Sequence, residues 1–191
     1  MLTIVTPTLN AERHLRECLA SVTAQDPPGG IEHLVVDGGS SDRTEAVVRA
    51  SLGTWLPRPG LKQSAAINAG LRVARGDVVA WLNADDVYTP GALAAVAEHF
   101  ERDATLDVLC GDCQVIDATG APLWYVRPGQ YDFERLLQRG NFIPQPAVFL
   151  RRRVFESVGY LDEGLEFGMD YELWLRLRNA SWLYVPRALA C

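Results

Sequence analysis

Four apolar runs, in "LTIVTP", "IEHLVVD", "LGTWLPRPG" and "DVVAWL", are each followed by a polar turn and then by a segment with helical spacing. A strand that is apolar on both faces has to be buried on both. Helices packed above and below a mostly parallel sheet are the usual way to achieve this. The helical segments fit that plan. "AERHLRECLASVTAQ" carries Leu15, Leu19 and Val22 at helical intervals, with Asn10 as its predicted cap. Asp42 and Glu45 read as a capping pair for the next helix, Gly76 as the stop of "SAAINAGLRVAR", and Pro90 as the first turn of "PGALAAVAEHFERD". Residues 1–104 are therefore predicted to be α/β. Beyond them the rhythm changes to strands in "DVLCGDCQVID", "APLWYV" and "PAVFL", with short helices at "FERLL" and "DYELWLRLRN". That half predicts antiparallel additions to the sheet. With no internal repeat and no low-complexity linker, residues 1–191 read as a single domain.

The chain has 191 residues, 48% of them hydrophobic, enough to bury one domain's core. Its net charge of −6 is spread over both signs without a basic block, which argues against a nucleic acid partner but leaves room for a small phosphorylated ligand in a local positive site. Of the four cysteines, Cys110 and Cys113 have metal or redox spacing but lack a second pair or a nearby histidine, so all four are read as reduced structural thiols. Their low density suits the cytosol. The start "MLTIVTPTLN" has neither the basic residues nor the long apolar run of a signal peptide, and no segment reaches the roughly eighteen apolar residues of a membrane span. The expectation is a cytoplasmic protein, with peripheral association at the inner face of the membrane as the further option.

In open α/β sheets the ligand crevice lies at the carboxyl ends of the strands. Four polar clusters fall there: Pro7 to Asn10, Asp37 to Ser40, Arg58 to Gln63, and Asn83 to Asp86. Asp85 and Asp86 place two like charges side by side after a buried strand, and such a pair asks for a cation or a proton. Hard carboxylate oxygens suit Mg²⁺ or Mn²⁺ when phosphates complete the shell, with Asp85 as ligand, Asp86 sharing the ion or orienting its waters, and Asn83 hydrogen-bonding a ribose. The competing structural reading makes either aspartate a cap for the helix near Pro90. Asp37 either accepts from a base or ribose or braces its own glycine turn. Lys62 and Arg58 are the local cations for a diphosphate, or else solvated loop residues. Asp170, ahead of an amphipathic helix, is either a cap or a base for an incoming hydroxyl. Leu173, Trp174 and Leu177 read as core. His14, His33 and His99 are read as structural or surface residues, and Ser40 and Ser41 lack a nucleophile-elbow setting. No G-x-G-x-x-G follows the first strand and no G-x-x-x-x-G-K-[ST] occurs, which removes the specific support for dinucleotide and P-loop sites.

Five stretches in order, "TIVTPTLNAERHLRECLASVTAQ", "EHLVVDGGSSDRT", "QSAAINAGLRVARGDVVAWLNADD", "QPAVFLRR" and "GMDYELWLRL", resemble the family-two inverting glycosyltransferases with the GT-A fold. The resemblance implies a nucleotide-binding half at 1–104 and an acceptor-side half at 105–191. It implies that Thr6, Pro7 and Asn10 line the nucleotide, that Asp37 contacts the base, and that Asn83-Ala84-Asp85 stands at the D-x-D motif with Asp85 on the metal. Asp170 matches the carboxylate that activates the acceptor, Gln145 matches a glutamine before the following strand, and Arg176 is assigned to supporting contacts. Three departures stand out. Asn83 removes one charge from the motif. In "WLPRPGLKQSAAIN", Arg58, Gly60, Lys62 and Ala65 replace Glu, Asp, Gly and Asp of the family's W-I-S-E-P-D-x-G-Q-S-D-A-I-N, turning an acidic loop basic and predicting either a shifted donor preference or altered binding. The chain also stops at "WLYVPRALAC", before a segment where many relatives place an Arg and a His, so a truncated C-terminus is expected.

The expected reaction is metal-assisted transfer, with inversion, from a nucleoside-diphosphate sugar to a hydroxyl-bearing sugar or lipid-linked acceptor in polysaccharide biosynthesis. UDP is the favoured nucleotide, followed by GDP or dTDP. The alternatives are a nucleotidyltransferase acting on sugar phosphates and a weakly active nucleotide-sugar-binding domain.

Overall fold

Strand β1 (Leu2–Thr8) is buried at all seven positions, its three threonines included. It pairs in parallel with β2 (Ile31–Asp37) on one side and β4 (Val78–Trp81) on the other, and β2 pairs in parallel with β3 (Thr54–Pro57). The computed structural model describes residues 1–191 and extends this parallel block into one eight-stranded sheet. β7 (Val148–Arg151) runs antiparallel to β4, β5 (Val108–Ile116) antiparallel to β7, and β6 (Pro122–Val126) antiparallel to β5 at the sheet's edge. β8 (Trp182–Ala190) lies parallel to β5.

Side-chain alternation along β1 assigns the helices to two faces. Leu2 and Ile4 join Cys18 and Val22 of α1 (Leu15–Thr23) and Leu93, Val96 and Phe100 of α4 (Ala92–Arg102) in one core. Val5 belongs to the opposite core, with Ile67 and Leu71 of α3 (Gln63–Val73) and Leu173 and Trp174 of α7 (Met169–Arg176). α2 (Thr44–Arg49) packs Val48 against Leu15, Leu19 and Val35. α5 (Phe133–Arg139) and α6 (Val154–Val158) complete the second half. Gly70 lets α3 sit tightly on β1, since a Cβ there would lie 2.5 Å from Val5 Cγ1. Trp81 of β4 and Trp174 of α7 are both essentially inaccessible and stack with centroids 5.8 Å apart. Such a pair contributes about 0.5–1.5 kcal/mol beyond its buried area and fixes α7 against the central strand.

Several local expectations need correction. Asn10 is not the cap of α1; that position is His14, and Asn10 lies farther back at φ 51. Pro90 lies outside α4, whose cap is Gly91 at φ 71, so neither Asp85 nor Asp86 caps that helix. Asp42 does accept from Thr44 N at 2.9 Å, but Glu45 pairs with Arg49 rather than reaching back. Gly76 follows the end of α3 rather than stopping it, and its N–H donates to Thr3 Oγ1. Pro7 does not end β1. Pairing with β4 stops at Val5–Trp81, so proline's missing N–H costs no ladder bond there. β8 was not legible in the sequence because Pro186 interrupts it. The strand bulges at that point, its register jumping from Gly111–Val185 to Asp112–Ala188. The cysteines are unbridged, and burial pushes the thiols of Cys18, Cys110 and Cys113 up to about 12. No helix is long and apolar enough to cross a membrane.

Candidate active site

The turns that leave β1, β2 and β3 are joined by main-chain hydrogen bonds. Gly38 N donates to Thr8 O at 2.9 Å, Arg58 N to Asp37 O at 2.7 Å and Gly60 N to Gly38 O at 2.9 Å. Next to them a cavity of about 510 Å³ opens between the loop after β1, the start of α3 and the loop after β4. Pro7, Asn10, Lys62, Asn83 and Asp85 all line it, so five residues singled out in three separate loops share one wall. Arg13 and His14 at the entry to α1, and Gln63 on α3, line it as well. Gln63 closes one of the four strand-end clusters, whereas the sequence reads His14 as structural or surface and does not single out Arg13. The only signal for them was their position just after a strand-end loop.

Thr6, Asp37, Asp86 and Asp170 do not line this cavity. Thr6 is fully buried, its hydroxyl 2.9 Å from His33 Nε2, and burial pushes His33 down to about 4. Asp37 is only 4% exposed. One oxygen accepts from Gly39 N and Ser40 N at 3.0 and 2.9 Å; the other accepts from the Ser40 hydroxyl and from Thr8 Oγ1. The carboxylate thus braces its own turn, whose Gly39 adopts φ 106. Asn10 reaches the same turn, its Oδ1 accepting from Ser41 N at 2.9 Å. Arg58 stays exposed outside the cavity and donates to Pro57 O.

Around Asn83 the amides form a network. Gln63 Nε2 donates to Asn83 Oδ1 at 2.9 Å, while Asn83 Nδ2 donates to Gln145 Oε1 and Asp86 Oδ2, both at 3.2 Å. Gln145 is anchored in turn by donating to Trp81 O at 2.7 Å. Every polar atom of the Asn83 side chain is engaged. The neighbouring Asp85 is exposed, with no hydrogen bond or ion pair to the protein. Asp86 lies behind it, and burial together with the charge of Asp85 pushes its carboxyl up to about 7. No cationic side chain pairs with either aspartate. The pair fits a divalent cation by charge and ligand hardness, yet no cluster of three or more His, Cys, Asp or Glu surrounds it, so a ligand's oxygens and water would have to complete a coordination shell.

Asp170 is in the first turn of α7, one residue past the helix's first position and two past its cap, Gly168. Asn141 Nδ2 donates to its Oδ2 at 2.7 Å, leaving Oδ1 without a protein partner. Its connection to the cavity runs through α3, because Ser64 Oγ donates to the neighbouring Met169 Sδ at 2.7 Å. Tyr171 donates to Leu136 O, and Leu173, Trp174 and Leu177 are core. Arg176 pairs with Glu172 and donates to Val158 O, Gly159 O and Tyr160 O, a supporting role.

The model of the glycosyl transferase family 2 matches residues 3–159. An uncharacterized glycosyltransferase of Rickettsia typhi is 28% identical over 200 residues, covering 96% of this chain and 60% of that protein. The O-antigen biosynthesis protein RfbC of Myxococcus xanthus is 34% identical over 192 residues, covering 95% of this chain and 15% of that protein. This chain thus spans at most about three-fifths of either relative. Among solved structures, S. aureus TarS 1-349 in complex with UDP-GlcNAc superposes with a TM-score of 0.80 at 21% identity, covering 99% of this chain and 57% of that one. The mannosyltransferase PcManGT of Pyrobaculum calidifontis, in complex with GDP-Man and Mn²⁺, gives 0.70 at 19%, covering 99% and 55%. At such identities the likeness is one of fold, the GT-A fold of these glycosyltransferases.

Proposed function

Since the chain belongs to the glycosyl transferase family 2, we propose that it carries out inverting transfer of a sugar from a nucleoside-diphosphate donor to a hydroxyl acceptor, assisted by Mn²⁺ or Mg²⁺. The observation that carries this reading is the contrast inside the loop after β4: Asn83 is held from three directions, while Asp85 is presented to the cavity with no partner of its own.

The donor's diphosphate is assigned to the wall formed by Lys62 and the start of α3. The uncapped first-turn N–H groups and the helix dipole favour an anion there, and Arg13 adds a second positive charge. Pro7 and Asn10 flank the nucleoside. Asp37 acts indirectly, by shaping the turn on which Asn10 rests; the hydrogen bonds of its carboxylate support that role over direct contact with a base. Asp85 would hold the metal, with Asp86 beside it sharing the ion or orienting its waters. When bound, a divalent ion would offset the charge that builds on the departing nucleoside diphosphate. Asp170 takes the acceptor hydroxyl's proton on Oδ1 while Asn141 holds the other oxygen. An acceptor oxygen attacking from the face opposite the diphosphate gives inversion.

UDP remains the favoured nucleotide, followed by GDP and dTDP. The neighbour complexes with UDP-GlcNAc and GDP-Man support a sugar-nucleotide donor without choosing between bases. A hydroxyl-bearing sugar or lipid-linked acceptor, polysaccharide biosynthesis, a cytoplasmic setting at the membrane's inner face and a single domain over 1–191 belong to the same proposal. A donor panel scored by released nucleoside diphosphate should identify the base. NMR of the product should then show the anomeric configuration opposite to the donor's; retention would overturn the mechanism, and release of pyrophosphate from a nucleoside triphosphate would favour nucleotidyl transfer.

A further inference from the structure

Lys62 Nζ, the cation on the cavity wall beside α3, is already paired: it lies 3.0 Å from Glu166 Oε1, a residue 104 positions away. Glu166 belongs to the loop between Leu161 and α7, and two other α3 residues hold that loop. The buried Asn68 donates to Leu161 O and Glu163 Oε1 at 2.9 and 2.8 Å and accepts from Leu161 N, and Ser64 donates to Met169 Sδ. These ties secure both ends of the loop, at 161–163 and at 169. Between them the Lys62–Glu166 pair is the one side-chain tie to the α3 side, Asp162 accepting from Gly164 N within the loop itself, and the adjoining Phe167 is 88% exposed. Both partners of the pair are themselves about 70% exposed. An ion pair in that setting is weak and readily exchanged.

We propose that Glu166 is a positioning residue that holds Lys62 at the donor site and is displaced from it when a nucleoside diphosphate binds. The inference rests on the donor site assigned above. Lys62 has one charge and two claimants, the Glu166 carboxylate and the incoming diphosphate. The diphosphate carries more charge, and α3's first turn and Arg13 attract it as well. Glu166 has no second cationic partner, so the exchange favours the ligand. Because the loop is fastened at 161–163 and at 169, its release is confined to 164–168, the span immediately before Asp170. Donor binding is thereby coupled to the loop that leads into Asp170.

The test is a double-mutant cycle on the full chain with Glu166→Gln, Lys62→Met and the double variant, measuring UDP and GDP affinity by calorimetry with Mn²⁺ present and uridine as the uncharged control. Both residues are exposed, and thermal melts should confirm that all variants fold. Glu166→Gln is expected to tighten nucleoside diphosphate about two- to fivefold, the range for an exposed pair, to leave uridine unchanged, and to have no effect once Lys62 is Met. Equal tightening in both backgrounds would reveal only a general charge effect and overturn the proposal. So would unchanged diphosphate affinity in a variant that still binds UDP or GDP. If no variant binds either nucleotide, the donor-site assignment itself falls, and this inference falls with it.

Discussion

Asp37 ends one parallel strand and Asp85 follows another at the same end of the sheet, each leads a short polar turn or sits in one, and in sequence they look like equal candidates for ligand contact. The structure makes them opposites. Asp37 is buried, and four donors surround its carboxylate. Asp85 is exposed on the cavity with none. A strand-end aspartate can therefore spend its hydrogen-bonding capacity on shaping a loop or keep it for a ligand, and its partners determine which.

The sharpest break in this comparison is expected from Asp85→Ala. It should reduce metal-dependent transfer on the order of a hundredfold or more, while urea unfolding shifts by less than about 0.5 kcal/mol because no protein contact is lost. A comparable loss of stability would show that Asp85 is structural after all. Asp37→Ala should behave in the reverse way, destabilising the fold by about 1–3 kcal/mol because the N–H groups of Gly39 and Ser40 lose their acceptor. Its effect on activity should follow from the loosened turn and appear mainly as weaker nucleotide binding in calorimetry. Unchanged stability with lost base discrimination would restore Asp37 as a direct base contact.

Asp86 sharpens the comparison within the second turn. Its carboxyl titrates near 3.8 when unfolded and at about 7 when folded. Between those values the folded state binds a proton that the unfolded state lacks, so this group's contribution to stability falls as pH rises from about 4 to 7 and stays at its low level above. In the presence of EDTA, Asp86→Asn should stabilise the protein at pH 8 by at least ~1 kcal/mol and converge with the native chain near pH 4. Parallel melting curves at all pH values would show that Asp86 is not under this strain.

Much of the fold was legible because its signals are local. Short runs rich in apolar and β-branched residues marked the parallel strands, and helical spacing marked α1, α3, α4 and α7. Where the signal was interrupted, reading failed: Pro186 concealed β8, and the five-residue α6 offers too few positions for a period. In the site, the four strand-end clusters were visible, and five of the chosen residues do meet on one cavity. Thr6 lies off the cavity because residues of a buried strand alternate between faces, and its hydroxyl is directed to His33.

By itself the sequence determined the alternation of elements and the gathering of polar turns at the carboxyl ends of the parallel strands, since both follow from periodicity over a few residues and from the direction of the chain. Only the tertiary structure decided which carboxylate stays free and which is consumed. Asp37 is held mainly by Gly39 and Ser40 of its own turn, but the other deciding partners come from elsewhere in the chain: Gln63 and Gln145 for Asn83, Asn141 for Asp170 and Glu166 for Lys62. A hydrogen bond acts over about 3 Å in space, and no spacing along the chain encodes that distance between residues scores of positions apart.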